Sequence, residues 1–163
     1  SEYRKLYRMK EQLAFVTKNH FTKLSEVVKT LEQVNEQLKK LRSEQYRLRG
    51  ARRKFKPLFE AHSIYERYSE IPDKLDEERR VMLEQAKEVI RKSGYADHIE
   101  AIRETRIALI GAISKNREEI QRLKKAKRSL GEVIEGTKSI NNNLLFMKQG
   151  RKQKKKADNS LER

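Results

Sequence analysis

Residues 24–48, LSEVVKTLEQVNEQLKKLRSEQYRL, carry an apolar repeat whose steps alternate between three and four residues. This spacing places apolar side chains at the a and d positions of a heptad, which form the seam of a coiled coil. Only Gln45 interrupts the repeat. The segment therefore predicts a long helix that buries one stripe against another helix. The stripe consists of Leu24, Val27, Leu31, Val34, Leu38, Leu41 and Leu48.

A second repeat with the same alternation runs through residues 99–134. Neither helix can bury its stripe alone, so pairing the two antiparallel within one chain is the economical solution. A parallel homodimer through each seam is the alternative. Three seam positions are polar, namely Arg106, Asn116 and Lys127, and polar seam residues lower stability while specifying register. The apolar positions are Ile99, Ile102, Leu109, Ile113, Ile120, Leu123, Leu130 and Ile134.

The predicted fold is all-α: an elongated helical bundle built on a long intramolecular antiparallel coiled coil, with short helices at its tip. Residues 1–22 are predicted to form an N-terminal helix, and residues 23–137 the coiled-coil domain. The helical tip within that domain covers residues 57–95, because Pro57 predicts a boundary or a kink and Gly94 a helix end. Gly50 lies where the seam weakens. Residues 138–163 are predicted to be a basic, partly disordered tail. The N-terminal helix has an apolar stripe of Tyr3, Leu6, Tyr7, Met9, Leu13 and Val16.

The composition points to a charged chain that attracts polyanions. Forty lysines and arginines against 24 acids give a net charge of +16, while 36% of the 163 residues are hydrophobic. Such an excess attracts nucleic acid, anionic membranes or acidic proteins. The absence of cysteine excludes disulfides and thiol catalysis. The longest uncharged run, Ile107 to Ser114, is far too short for a membrane span, so we expect a cytoplasmic chain without a membrane partner.

No arrangement of residues in the sequence indicates catalysis. His20, His62 and His98 lie far apart and have no metal-ligand spacing. The six glycines are scattered, so none forms a phosphate-binding loop. We therefore predict a chain that is not an enzyme and needs neither a metal nor a cofactor.

Two basic clusters are candidates for non-specific contacts with DNA phosphates. The first crowds one end of the first seam helix, where Glu44 is the one opposing acid. The second lies in the tail. Each cluster could instead be a solvated face that keeps the chain soluble, and phosphate contacts alone do not read sequence. The first contains Arg42, Arg47, Arg49, Arg52, Arg53, Lys54 and Lys56, and the second Arg151, Lys152, Lys154, Lys155 and Lys156.

The order of these segments resembles the helical C-terminal region of relaxases, the mobilization nucleases of conjugative and mobilizable elements of Gram-positive bacteria. The resemblance spans about residues 5 to 137. It is carried by residues 10–19 (KEQLAFVTKN), by the coiled-coil entry at residues 22–28, by residues 56–59 (KPLF) with residues 64–68 (IYERY), and by residues 82–87 (MLEQAK).

This resemblance implies a non-catalytic accessory domain that contacts DNA, the transfer machinery or both during plasmid mobilization. The family's nuclease half, with its histidine metal triad and DNA-linking tyrosine, has no counterpart here, so no catalytic residue carries over. The alternative is a coiled-coil adaptor that binds a protein partner and has no nucleic-acid role. We expect a monomer, with a homodimer as the alternative.

Overall fold

In a computed structural model the chain is all-α, as predicted. The structure describes the backbone of residues 2–19 and 23–161, and the side chains of residues 2–16, 18–19 and 23–138. This described part contains four α-helices, a short 3-10 turn at Pro72–Lys74 and no strand. The helices are α1 (Glu2–Lys18), α2 (Leu24–Tyr68), α3 (Glu77–Lys92) and α4 (Ile99–Leu161).

The chain divides into two compact units. One, here the α3 unit, is Lys39–Gln121, and the other, the α1 unit, is Ser1–Leu38 with Arg122–Arg163. The long helices α2 and α4 pack against each other, which confirms the predicted helical hairpin. Their direction follows from three hydrogen bonds inside the α3 unit. These join Asn116 to Leu41, Arg106 to Ser63, and Arg103 to Glu66, so the numbering rises on one helix as it falls on the other.

In the α3 unit, three helices close one core. Leu58 and Ala61 come from α2, Ala86 and Ile90 from α3, and Ile102 from α4. Each is buried, and half-buried aromatic and aliphatic side chains surround them. The short helix α3 therefore covers a side of the α2–α4 pair that would be exposed to solvent if only two helices packed together.

In the α1 unit, the predicted seam residues Val27, Val34, Leu38, Leu123 and Leu130 are buried. Most of the apolar stripe of helix α1 faces solvent. Its Gln12 lies close to Gly136 of α4. The exposed stripe residues are Tyr3, Leu6, Tyr7, Met9 and Leu13.

The seam itself follows the prediction, with three exceptions, the first of which is Leu24, 39% exposed at the start of α2. Asn116 is buried, as a polar seam residue should be, but Arg106 and Lys127 are exposed. Thr105 and Ala126, the residues just before them, are half-buried in their place. The smaller neighbour fits the interface, and the long cation stays in water.

Neither Gly50 nor Pro57 ends a helix, because α2 continues to Tyr68. Proline removes one helical hydrogen bond and crowds the preceding turn. Here the side chains just after it, Leu58 and Ala61, enter the three-helix core and hold the backbone helical. Helix α3 begins at Glu77, where the Asp76 carboxylate accepts a hydrogen bond from the Arg79 backbone N–H at 2.9 Å.

The helical backbone also continues through residues 138–161, where the sequence predicted a partly disordered tail. Between Ser139 and Leu161 the sequence has no proline, and Gly150 is its one glycine. Nothing in this segment therefore forces the helix to stop.

Two glycine substitutions are expected to shift stability in opposite directions. Gly50 lies inside α2, and no atom lies within 4 Å of the position that an added Cβ would take, so Gly50→Ala is expected to stabilise the fold by about 1 kcal/mol. Gly94 ends α3 with a φ of +81°, so Gly94→Ala should destabilise it by about 1 kcal/mol. Urea unfolding followed by circular dichroism measures both. A destabilising Gly50→Ala would contradict the continuous course of α2.

Candidate nucleic-acid interface

Part of the first basic cluster forms a stripe along one face of α2. Arg42, Arg49, Arg53 and Lys56 are separated by steps of seven, four and three residues, which keep side chains on the same side of a helix. All four are exposed. Tyr46 occupies the same face, four residues after Arg42 and three before Arg49, and 82% of its surface is accessible. The stripe therefore combines cations with an aromatic ring.

The stripe leads into an open groove of about 670 Å³ between α2 and α4 in the α3 unit. Its polar lining includes four cations, one carboxylate and one hydroxyl. Its floor is apolar. The cations are Arg52, Arg53, Lys56 and Arg106, the other polar residues are Glu60 and Ser63, and the floor consists of Phe59, Leu109, Ile110 and Ile113.

Arg106 is held inside this groove by neighbours on α2. Its Nη1 donates a hydrogen bond to Ser63 Oγ at 3.2 Å, and its guanidinium carbon lies 5.9 Å from the centre of the Phe59 ring. A cation over an aromatic face is attracted by the ring quadrupole. Within the described part of the chain, Arg106 has no ion pair. Its charge is therefore positioned but not neutralised, which suits an anionic ligand.

The predicted cluster splits into available and occupied cations. Arg47 makes two hydrogen bonds to the Glu44 carboxylate, at 2.6 and 2.9 Å. The hydrogen bond from Arg47 lowers the pKa of Glu44, and the same bond raises the pKa of Arg47, so both groups stay ionised and neutralise each other. Lys56 faces Glu60 at 3.8 Å, with both side chains mostly exposed, a weak pairing.

The remaining cations of the first cluster lie on different sides of the α2 axis. Among the described residues, no ion pair involves Arg42, Arg49, Arg52, Arg53 or Lys54. Lys54 precedes Lys56 by two residues and so points about 200° away from it around the helix axis. Lys54, like Arg47 seven residues before it, therefore lies off the basic stripe, although both belong to the predicted cluster.

The second predicted cluster, Arg151, Lys152, Lys154, Lys155 and Lys156, lies outside the residues whose side chains are described. Its role in binding stays a prediction.

Sequence reasoning missed Arg106 as a groove residue, because the heptad assigned it to the seam. The sequence also allowed Thr105 to occupy that seam position. This alternative would have turned Arg106 outward, and it was the one signal in the sequence for a role of Arg106 outside the seam. Its nearness to Arg52 and Arg53 depends on the register between α2 and α4, which no local pattern contains.

Other charged groups near the end of the hairpin are engaged with one another. Glu66 accepts a hydrogen bond from Arg103 and lies 3.7 Å from Nδ1 of the buried His62. The hydrogen bond to Glu66 raises the pKa of Arg103. Arg103 is therefore occupied. Across the described side chains, no three histidine, aspartate or glutamate residues come close enough to hold a metal ion.

None of the helices, over the residues that the structure describes, combines the length and apolar character needed to cross a bilayer. Comparison with protein-family models, with curated proteins and with solved structures gives no match.

Proposed function

We propose that this chain is a non-catalytic domain that binds the phosphates of nucleic acid through α2 and the groove beside α4. The observation that carries the proposal is the convergence of Arg52, Arg53, Lys56 and Arg106 on one groove, with Glu60 as its one acid. Phosphate oxygens accept charge-assisted hydrogen bonds from guanidinium groups, often two at once. The net charge of +16 adds long-range attraction to any polyanion.

The relaxase resemblance supplies the biological setting of the proposal. In that setting the chain is an accessory domain that contacts DNA during plasmid mobilization, alone or together with proteins of the transfer machinery. The nicking reaction would belong to a nuclease domain outside this chain. Contacts made through phosphates fix position on the nucleic acid and leave sequence recognition to other groups.

A coiled-coil adaptor is the second candidate function. The observation that favours it is the exposed apolar side of α1, where Tyr3, Leu6 and Leu13 are each more than half accessible. Large exposed apolar patches mark surfaces that bind other proteins or membranes. In this case the basic charge would serve solubility.

A salt titration of DNA binding tests the first function. The variant Arg52→Gln/Arg53→Gln/Lys56→Gln/Arg106→Gln removes the groove cations and keeps polar side chains. Each lost phosphate contact should reduce the slope of log K against log salt by about 0.9 on duplex DNA. We expect the slope of the quadruple variant to be smaller by about 3.6, measured by fluorescence anisotropy between low and physiological salt.

The matched control removes the same charge from exposed positions outside the groove. It is Lys54→Gln/Lys74→Gln/Arg80→Gln/Lys115→Gln. Its slope should change by less than about 1, because non-contacting charges release few counterions. Equal losses in both variants would refute a groove-specific site, and absence of DNA binding by the unmodified chain would favour the adaptor.

A further inference from the structure

Tyr46 has no structural role that would explain its position. It is 82% exposed, and in the described part of the chain it makes no hydrogen bond or ring contact. Arg42, Arg49 and Arg53 flank it on the same helix face, at separations of four, three and seven residues. Phosphate binding needs charges and hydrogen-bond donors, and it does not require the face of an aromatic ring at this position. An aromatic ring among cations offers a face on which a nucleobase can stack.

The groove beyond Tyr46 has the same mixed character. Its floor includes Ile110, which is more than half exposed, and Phe59, whose ring stacks on Phe55 at 5.6 Å. Arg52, one of the residues that line the groove, follows Tyr46 by six residues, or about 9 Å along the helix. Exposed apolar surface therefore continues from the stripe into the groove, always beside cations.

A duplex cannot use this surface well. Its bases are stacked on each other, so it presents phosphates and base edges to a protein. A single strand offers both a phosphate backbone and free base faces, and proteins that bind single strands combine a basic groove with aromatic platforms.

We infer that this interface prefers single-stranded nucleic acid, with a base stacked on Tyr46 and the neighbouring phosphates bound by Arg42, Arg49 and Arg53. The inference rests on the proposed phosphate-binding function and adds strandedness to it. The strand follows the stripe on α2 and enters the groove, where unstacked bases meet its apolar floor.

The test compares four labelled probes with equal numbers of phosphates at one salt concentration. They are oligo-dT, oligo-rU, an abasic single strand and a DNA duplex, each measured by fluorescence anisotropy. We expect Tyr46→Ala to weaken binding of oligo-dT about tenfold, the effect of losing one base–aromatic stack. Binding of the abasic strand and of the duplex should change less than about twofold. Comparing oligo-dT with oligo-rU distinguishes DNA from RNA as the strand.

Two further variants serve as controls. Tyr46→Phe keeps the stacking face and should bind oligo-dT like the unmodified chain. Tyr3→Ala removes a tyrosine that is 83% exposed on α1 and should leave all four affinities unchanged. Because Tyr46 is so exposed, its removal should also leave the thermal unfolding curve unchanged.

The outcomes separate the inference from the proposed function. If Tyr46→Ala weakens all four probes equally, or none, the inference is wrong while phosphate binding stands. If the unmodified chain binds oligo-dT no better than the abasic strand, the inference is also wrong. If no probe binds, the proposed function itself fails.

Discussion

Replacing Asn116 by aspartate is expected to lower the free energy of unfolding by about 3–5 kcal/mol at neutral pH. Asn116 is 7% exposed, and its Nδ2 donates a hydrogen bond to the Leu41 carbonyl oxygen of α2 at 3.0 Å. Aspartate has nearly the same shape but no N–H donor. It would place a buried negative charge against a carbonyl oxygen, so that two acceptors face each other without a proton between them.

The loss should depend on pH in a defined direction. Burial disfavours the charged carboxylate, so the folded state raises the pKa of the introduced group above its ordinary value of about 3.9. Below about pH 4 the group is neutral in both states and its O–H can donate to Leu41. The introduced carboxyl thus has an ordinary pKa in the unfolded state and a raised pKa in the folded state. The stability of the variant relative to the unmodified chain should therefore fall as pH rises from the first of these values to the second, and then level off.

Urea unfolding of both chains at each pH measures this difference. Asn116→Leu is the control, because it removes the polar group without adding charge and should be neutral or stabilising. An aspartate variant as stable as the unmodified chain at neutral pH would mean that water reaches this part of the seam.

Asn116 also shows how far a seam can be predicted from sequence. The alternation of three and four residues is a local property, and the aliphatic residues that it indicated on α2 and α4 are buried or half-buried, except Leu24. It also predicted a polar seam position at residue 116. It could not predict the acceptor, because the Leu41 carbonyl belongs to the backbone and carries no side-chain signal.

Helix α2 continues through Pro57, where the sequence predicts a boundary or a kink, for a physical reason. Helix propensity is a local preference of at most about 3 kcal/mol even for proline. Burial of Leu58, Ala61 and Ile102 in one core provides several such contributions. The stabilisation from that core could not be predicted from the sequence, because α3 joins the core through contacts between segments that are distant along the chain.

The basic interface was predicted as a cluster but not as a surface. Spacing along α2 was sufficient to separate Arg53 and Lys56 from Lys54, since helical positions follow from residue number. The pairing of Arg47 with Glu44 was likewise within reach of an i, i+3 rule. The position of Arg106 beside the cations of α2 could not be predicted, because it depends on the register between two helices.

Ile102→Ala is expected to destabilise the fold by about 2–5 kcal/mol. Ile102 is 0% exposed and belongs to the core in which α2, α3 and α4 meet. Removing three of its side-chain carbons loses transfer free energy and leaves a cavity. Three helices line that cavity, so the surroundings cannot close it by moving one of them. We therefore expect a loss toward the upper end of that range.

The matched control is Ile107→Ala, five residues later on the same helix, where the side chain is 64% exposed. That change should shift the free energy of unfolding by less than about 0.5 kcal/mol, because an exposed isoleucine loses little burial and alanine is the better helix former. Urea unfolding compares the two variants directly. If Ile102→Ala costs no more than Ile107→Ala, α3 does not close this core. The α2–α4 register that brings Arg106 to Arg52 and Arg53 would then lack the packing support that the three-helix core provides.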